Sequence, residues 1–195
     1  MTGFLADDIL PAAPEGLTTL HDREYRVRSY RAGEHEMVIH GAVRDQKPPG
    51  QYTPDDPDPL TIHHMQVELR VSFPALEITA AEVLFDTHPH TACPAVADRY
   101  GELVGLSIAR GFINRVRELF GGPRGCTHVT ALLLAMAPVA VQSTWSMRTT
   151  ASRPTGPAGQ PPMQSAVERE RMWTGNVGTC HVWADDGEHV AALRA

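Results

Sequence analysis

Each of the three cysteines in this 195-residue chain lies one to three residues from a histidine. The three pairs are His90 with Cys93, Cys126 with His128, and Cys180 with His181. Thiolate and imidazole groups are common ligands of zinc and iron, and a cysteine beside a histidine can also act as a nucleophile with its base. The spacing therefore predicts a shared Cys/His site, with a single reactive cysteine or inert packing of the thiols as the alternatives.

Two of these cysteines precede predicted helices. Cys93 comes directly before a helix that opens at Pro94, and Cys126 before one that opens near Thr127. Each thiol would face unpaired backbone N–H groups and the positive end of a helix dipole. That environment stabilises a thiolate and equally suits a metal ligand. Cys93, Cys126 and His128 are therefore the candidate catalytic residues.

Histidines at one end of the predicted sheet offer the remaining ligand. His63 and His64 begin the third predicted strand. Because neighbouring residues of a strand face opposite sides, one of the two can point at the site, and we favour His63. The predicted metal ligands are His63, Cys93, Cys126 and His128, with His64, His88, His90, Cys180 and His181 as further candidates.

Alternating apolar and polar residues predict four antiparallel strands. Residues 23–44 form a hairpin with a turn at 32–34, and the strands 65–71 and 78–85 pair across a short turn at 72–75. These strands make a sheet with one face buried and the other exposed to water.

Helical spacing takes over after the fourth strand. Helices are predicted at 94–105, at 111–120 and from 126 to about 145, the last kinked at Pro138. The Asp186-Gly187 dipeptide between two short apolar runs predicts a C-terminal β-hairpin. A sheet followed by helices is an α+β fold.

Length and composition predict one domain. With 195 residues, 42% of them hydrophobic and 21% charged, the chain suffices for a single sizeable core. We expect an irregular N-terminal arm at 1–21 and a single α+β domain at 22–195. The proline-rich segments 46–60 and 148–164 are predicted mobile loops.

Charge and cysteine usage limit the partners. A net charge of −6 with no long basic run disfavours nucleic acid and anionic membranes, and it favours a small-molecule substrate. The longest apolar stretch, 129–141, is too short to span a bilayer. An odd cysteine count and a start without signal-peptide character predict a cytoplasmic protein. A homo-oligomer is compatible with this composition.

Several strings resemble a bacterial family catalogued as a domain of unknown function, whose commonest signature is Gly-Cys-Thr-His-Leu-Thr. The resembling strings are 62–65, 92–94, 103–106, 121–130 and 179–181. The resemblance covers roughly residues 22–193. It implies a shared fold and a residue list but no reaction.

The order of strands, cysteines and helices is also similar to the iron–sulfur scaffold proteins of the NifU/IscU type. That resemblance implies an IscU-like core in which Cys93 takes the second cysteine position, Cys126 or His128 the third, and His63 lies near the aspartate. Where the first cysteine of those scaffold proteins would fall, this chain has Thr61 and Ile62. The difference favours one metal ion over a cluster.

These observations predict a metal-binding protein with one zinc or iron ion. An open position on the ion would polarise a carbonyl or activate water, as in a lyase or hydrolase acting on a small organic substrate. One alternative is an iron–sulfur or sulfur-carrier scaffold. Another is a metal-free enzyme with Cys93 or Cys126 as nucleophile and His128 as base.

Overall fold

A computed structural model describes residues 10–50, 55, 57–150 and 173–194, without the side chains of 149 and 150. The chain divides into two compact units, Met1–Arg148 and Thr149–Ala195. Parts of both predicted loops, 51–54 with 56 and 151–164, lie outside the described residues, as do residues 1–9 of the predicted arm.

The first unit is built on a four-stranded antiparallel sheet. Its strands are β1 (Asp22–Arg31), β2 (Glu36–Lys47), β3 (Leu60–Ser72) and β4 (Ile78–Thr87), in the order β1-β2-β3-β4. The predicted sheet is therefore confirmed, with strands extending a few residues beyond the predicted limits.

One face of the sheet carries the core. The inward positions of β2 and β3 are odd-numbered, and their apolar residues are buried: Met37, Ile39, Val43, Met65, Val67, Leu69 and Val71. The same alternation continues to the end of β2, where Asp45 lies directly opposite His63 of β3. The inward series therefore ends in two polar side chains at one end of the sheet.

The helices follow the sheet as predicted, with one change of type. The segment predicted to open at Pro94 is a 3-10 helix, Cys93–Leu103. Two α-helices come next, α1 (Phe112–Phe120) and α2 (Thr127–Thr150), and Pro138 lies inside α2. The α+β class is confirmed.

Helix α2 packs on the inner face of the sheet. Its residues Leu132 and Met136 lie so close to Gly41 of β2 that a Cβ at that position would stand 2.7 Å from the Met136 sulfur. Over Thr127–Arg148 the helix is long and apolar enough to cross a membrane by length and composition. Its buried residues join the core of the sheet.

The predicted C-terminal hairpin is wrong. In the second unit, His181–Trp183 is a 3-10 turn and Glu188–Arg194 is an α-helix that begins directly after Gly187. Glu188 in the first turn and Arg194 in the last complement the helix dipole. The Asp186-Gly187 dipeptide therefore precedes a helix here instead of joining two strands.

Candidate metal centre

Three side chains from three elements converge at one end of the sheet. Asp45 lies near the end of β2, His63 near the start of β3, and His128 in the first turn of α2. One potential ligand atom from each lies within 4.8 Å of the others. The group includes two of the predicted ligands, His63 and His128, and one residue that the sequence did not single out, Asp45.

Asp45 is the buried anion of the group, with 1% of its side chain exposed. The Arg23 guanidinium donates from Nε to Oδ1 at 2.5 Å and from Nη2 to Oδ2 at 2.6 Å. Burial alone would raise the pKa of Asp45, but the hydrogen bonds and charge of Arg23, with the fields of His128 and His21, hold it well below its usual range. Asp45 is therefore a fixed carboxylate at neutral pH.

One oxygen of Asp45 is crowded by nitrogens. Besides Arg23, Oδ2 faces the His128 Nε2 at 3.0 Å and the His63 Nδ1 at 3.2 Å. Among the described residues, His63 Nδ1 is the buried side-chain atom that has no hydrogen-bond partner. Buried polar atoms are normally paired, so a buried nitrogen that faces Asp45 without a hydrogen bond is unusual.

His128 is suited to the neutral state. Burial and the neighbouring His63 lower its pKa and outweigh the opposing charge of Asp45. The rings of His63 and His128 stack at 4.0 Å between centroids. Both imidazoles turn a nitrogen toward the same carboxylate. The neutral imidazole is the form that binds metal.

Cys126 approaches the other side of the His128 ring. Its sulfur lies 3.7 Å from Nδ1, whereas Asp45 faces Nε2. The Cys126 backbone N–H donates to the Tyr100 hydroxyl at 2.8 Å, which holds the residue just before α2. The Cys126 thiol is thus adjacent to the group but on the edge of the imidazole that faces away from Asp45.

The other candidates of the first unit lie apart from the group. His64 faces the outer side of the sheet, where its Nδ1 is 2.8 Å from Asp86 Oδ2. His88 contacts the backbone oxygen of His90. Cys93 begins the 3-10 helix, partly buried against the core. None of the four belongs to the Asp45–His63–His128 group found among the described residues.

Cys180 and His181 belong to the second unit. Cys180 is exposed, and His181 opens the 3-10 turn instead of lying in a strand. Neither belongs to the Asp45–His63–His128 group found among the described residues.

A signal for Asp45 was present in the sequence. The alternation that marks Met37, Ile39 and Val43 as inward also places residue 45 inward. An acid at a core-facing position needs a cation or metal partner. Asp45 follows Arg44 and precedes a polar loop, so it looks like an ordinary polar residue at a strand end. Its inward position becomes clear only when the alternation of residues 37, 39 and 43 is extended to residue 45.

Geometry and fold together define a class: an α+β domain with an Asp/His/His group at the end of an antiparallel sheet. The chain belongs to the family described as protein of unknown function DUF2889, whose model matches residues 21–142. The matched segment contains every residue of the group and the 125–128 string. Searches of curated proteins and of solved structures found no match.

Proposed function

We propose that this protein binds one divalent zinc or iron ion through Asp45, His63 and His128. The observation that carries the proposal is the buried Nδ1 of His63, which lies 3.2 Å from a carboxylate oxygen and makes no hydrogen bond. An oxygen with two lone pairs cannot satisfy three nitrogens well. A cation between the carboxylate and the two imidazoles satisfies all three ligand atoms.

The spacing fits such an ion. Ligand atoms about 2.0–2.2 Å from a zinc ion lie roughly 3.3 Å apart in a tetrahedron. The imidazole nitrogens of His128 and His63 are 3.0 and 3.2 Å from Asp45 Oδ2. Arg23 would then act outside the ligand shell, where a partner that orients a carboxylate ligand is typical.

The ligand set leaves room for chemistry. Two histidines and one carboxylate are the ligands of many mononuclear iron(II) sites, and three protein ligands with an open position are typical of catalytic zinc. A bound ion would supply Lewis acidity and an activated water, which supports the proposal of a lyase or hydrolase for a small organic substrate. Arg23 would keep Asp45 ionised and oriented. We also propose that the protein is cytoplasmic.

The test measures bound metal in matched variants. Wild-type protein, purified without chelator, should contain about one equivalent of zinc or iron by elemental analysis. His63→Ala and His128→Ala should lose it, whereas His64→Ala, one residue along the same strand but facing outward, should retain it. Circular dichroism checks that each variant folds. Equal metal content in His63→Ala and His64→Ala would refute the proposal.

A second candidate is a cysteine nucleophile. The contacts run from the Cys126 sulfur to His128 Nδ1 and from His128 Nε2 to Asp45, which is the order of a nucleophile, a base and an orienting acid. Cys126→Ser distinguishes the two. The metal proposal expects this variant to keep its metal, because the sulfur faces the nitrogen that does not bind the ion. A metal-free wild-type protein in which one thiol reacts rapidly with iodoacetamide would favour the nucleophile.

A further inference from the structure

We propose that Cys126 is a positioning residue of the metal site, and that its sulfur is the hydrogen-bond partner of the His128 ring nitrogen that does not bind the ion. This inference rests on the proposed metal site. The Cys126 sulfur lies 3.7 Å from Nδ1 of His128, and Nε2 of the same ring lies 3.0 Å from Asp45. The two ring nitrogens therefore have different neighbours, a thiol on one side and the metal group on the other.

The nitrogen that binds the ion decides where the ring proton of His128 must be. A neutral imidazole carries one ring proton, and a metal ion binds the nitrogen that lacks it. Histidine ligands almost always donate the proton of their other nitrogen to an outer partner, which fixes the ring and its tautomer. With the ion at Nε2 the proton is on Nδ1, and the Cys126 sulfur is the acceptor that lies there.

A thiol can serve His128 both with and without the ion, because it is a weak donor and a weak acceptor. Without the ion, Nε2 faces a carboxylate that can only accept, so the ring proton is on Nε2 and the Cys126 S–H donates to Nδ1. When the ion binds, Nε2 loses its proton to water and Nδ1 gains one from water, so the ring stays neutral. The thiol keeps its own proton and turns it away from the ring.

The backbone holds the sulfur beside the ring. The Cys126 N–H donates to the Tyr100 hydroxyl at 2.8 Å, and the Cys126 carbonyl accepts from the Thr130 N–H at 2.9 Å in the first turn of α2. Tyr100 is buried, and its ring packs on Phe120 at 4.5 Å between centroids. Packing in the core therefore fixes the residue that contacts His128.

Capping of α2 does not explain a cysteine at this position. Cys126 directly precedes α2, where Ser, Thr, Asp and Asn are preferred because their side-chain oxygens accept from the free N–H groups of the first turn. The hydrogen bond of the Cys126 side chain goes to the His128 ring instead. The sulfur therefore serves the imidazole and not the helix end.

The first test measures zinc affinity in the full chain by competition with a chromophoric chelator. Cys126→Ala should bind zinc about tenfold more weakly than the wild type, the lower end of the effect known for partners of metal ligands. Cys126→Ser, whose hydroxyl can donate and accept, should bind more tightly than Cys126→Ala. Cys93→Ala removes another partly buried cysteine at the start of a helix, outside the group, and should leave the affinity unchanged.

A second test reads the tautomer of His128 directly and needs no Cys126 variant. In NMR spectra of protein with isotope-labelled histidine, the His128 signals are assigned by their loss in His128→Gln. The ring proton should be on Nε2 in the metal-free protein and on Nδ1 in the zinc-bound protein. A proton on the same nitrogen in both states would overturn the role of Cys126.

The outcomes separate the two proposals. Wild-type affinity in Cys126→Ala, or equal weakening in the alanine and serine variants, together with lost binding in His63→Ala, would overturn the role of Cys126 and leave the three-ligand site standing. Failure of the wild-type protein to bind zinc or iron, or unchanged binding in His63→Ala, would overturn the site itself. Thermal unfolding of the metal-free variants, followed by circular dichroism, checks that folded proteins are compared.

Discussion

The neighbouring histidines His63 and His64 of β3 each face an aspartate, on opposite sides of the sheet, and the two pairs differ in burial and in their partners. His64 and Asp86, on the outer face, meet at 2.8 Å, with the aspartate half exposed. His63 and Asp45, on the inner face, are 3.2 Å apart, with the aspartate buried. The outer pair makes a hydrogen bond at the surface, whereas the His63 nitrogen of the inner pair makes none. The inner pair makes a site because three further side chains, Arg23, His128 and His21, converge on the same buried carboxylate.

The largest expected effect on stability comes from removing the charge of the buried aspartate, with the exposed aspartate as the control. Asp45→Asn leaves the Arg23 fork and two imidazoles against an amide, so the free energy of unfolding should fall by about 1–3 kcal/mol. Asp86→Asn should change it by less than about 0.5 kcal/mol, as is usual at an exposed site. Urea denaturation with chelator present measures both without a contribution from metal. Equal losses would mean that the two faces do not differ in the way described.

A smaller effect is expected from crowding the inner face. In Gly41→Ala the new methyl group would stand 2.7 Å from the Met136 sulfur and 3.1 Å from a Leu132 methyl. Because the methionine side chain is flexible, we expect a loss of about 1 kcal/mol. Gly33→Ala, in a turn with no atom within 4 Å of the added carbon, is the control and should be neutral. Stability unchanged in Gly41→Ala would show that α2 is less tightly seated.

The smallest effect concerns the pH dependence of the metal-free protein. His63, Asp45, Arg23 and Cys126 face His128, and its pKa is lowered in the fold. Below the ordinary histidine pKa of about 6.5 the unfolded chain therefore binds more protons than the folded chain, and stability falls as pH falls from about 7. The decrease should be shallower in His128→Gln. Identical slopes for both proteins in chelator, measured by urea denaturation between pH 7 and about 5.5, would contradict the lowered pKa.

The sheet was predictable because its apolar residues alternate over long strands, and the two hairpins are short-range. The C-terminal hairpin was not, because Asp186-Gly187 suits a turn between strands and also the start of a helix, and the flanking apolar runs are too short to decide. The sequence likewise did not distinguish a 3-10 helix from an α-helix at Cys93–Leu103. The pattern of apolar residues predicted an element correctly where its periodicity continued over many residues.

The candidate site was predictable in part. Strand alternation correctly separated His63 from His64, which face opposite sides of the sheet. The emphasis on cysteines came from their proximity to histidines along the chain, but proximity in the fold depends on which elements meet. Asp45, His63 and His128 are 18 to 83 residues apart and meet because β2 pairs with β3 and α2 crosses them. No single stretch of sequence contains all three residues, so the group can be found only from the register in which β2 pairs with β3.

Gly125, the residue before Cys126, gives the 125–128 string a structural role in addition to the ligand role of His128. A Cβ on Gly125 would stand 2.8 Å from the Phe120 oxygen and 3.0 Å from the Tyr100 hydroxyl. The backbone at Gly125 therefore packs directly against these two residues. From that point the helix advances by about 100° of rotation for each residue. The length of the string therefore sets the direction in which the His128 side chain points. One residue inserted between Gly125 and His128 would turn the imidazole about a quarter of a circle away from Asp45, although the composition of the string would be almost unchanged.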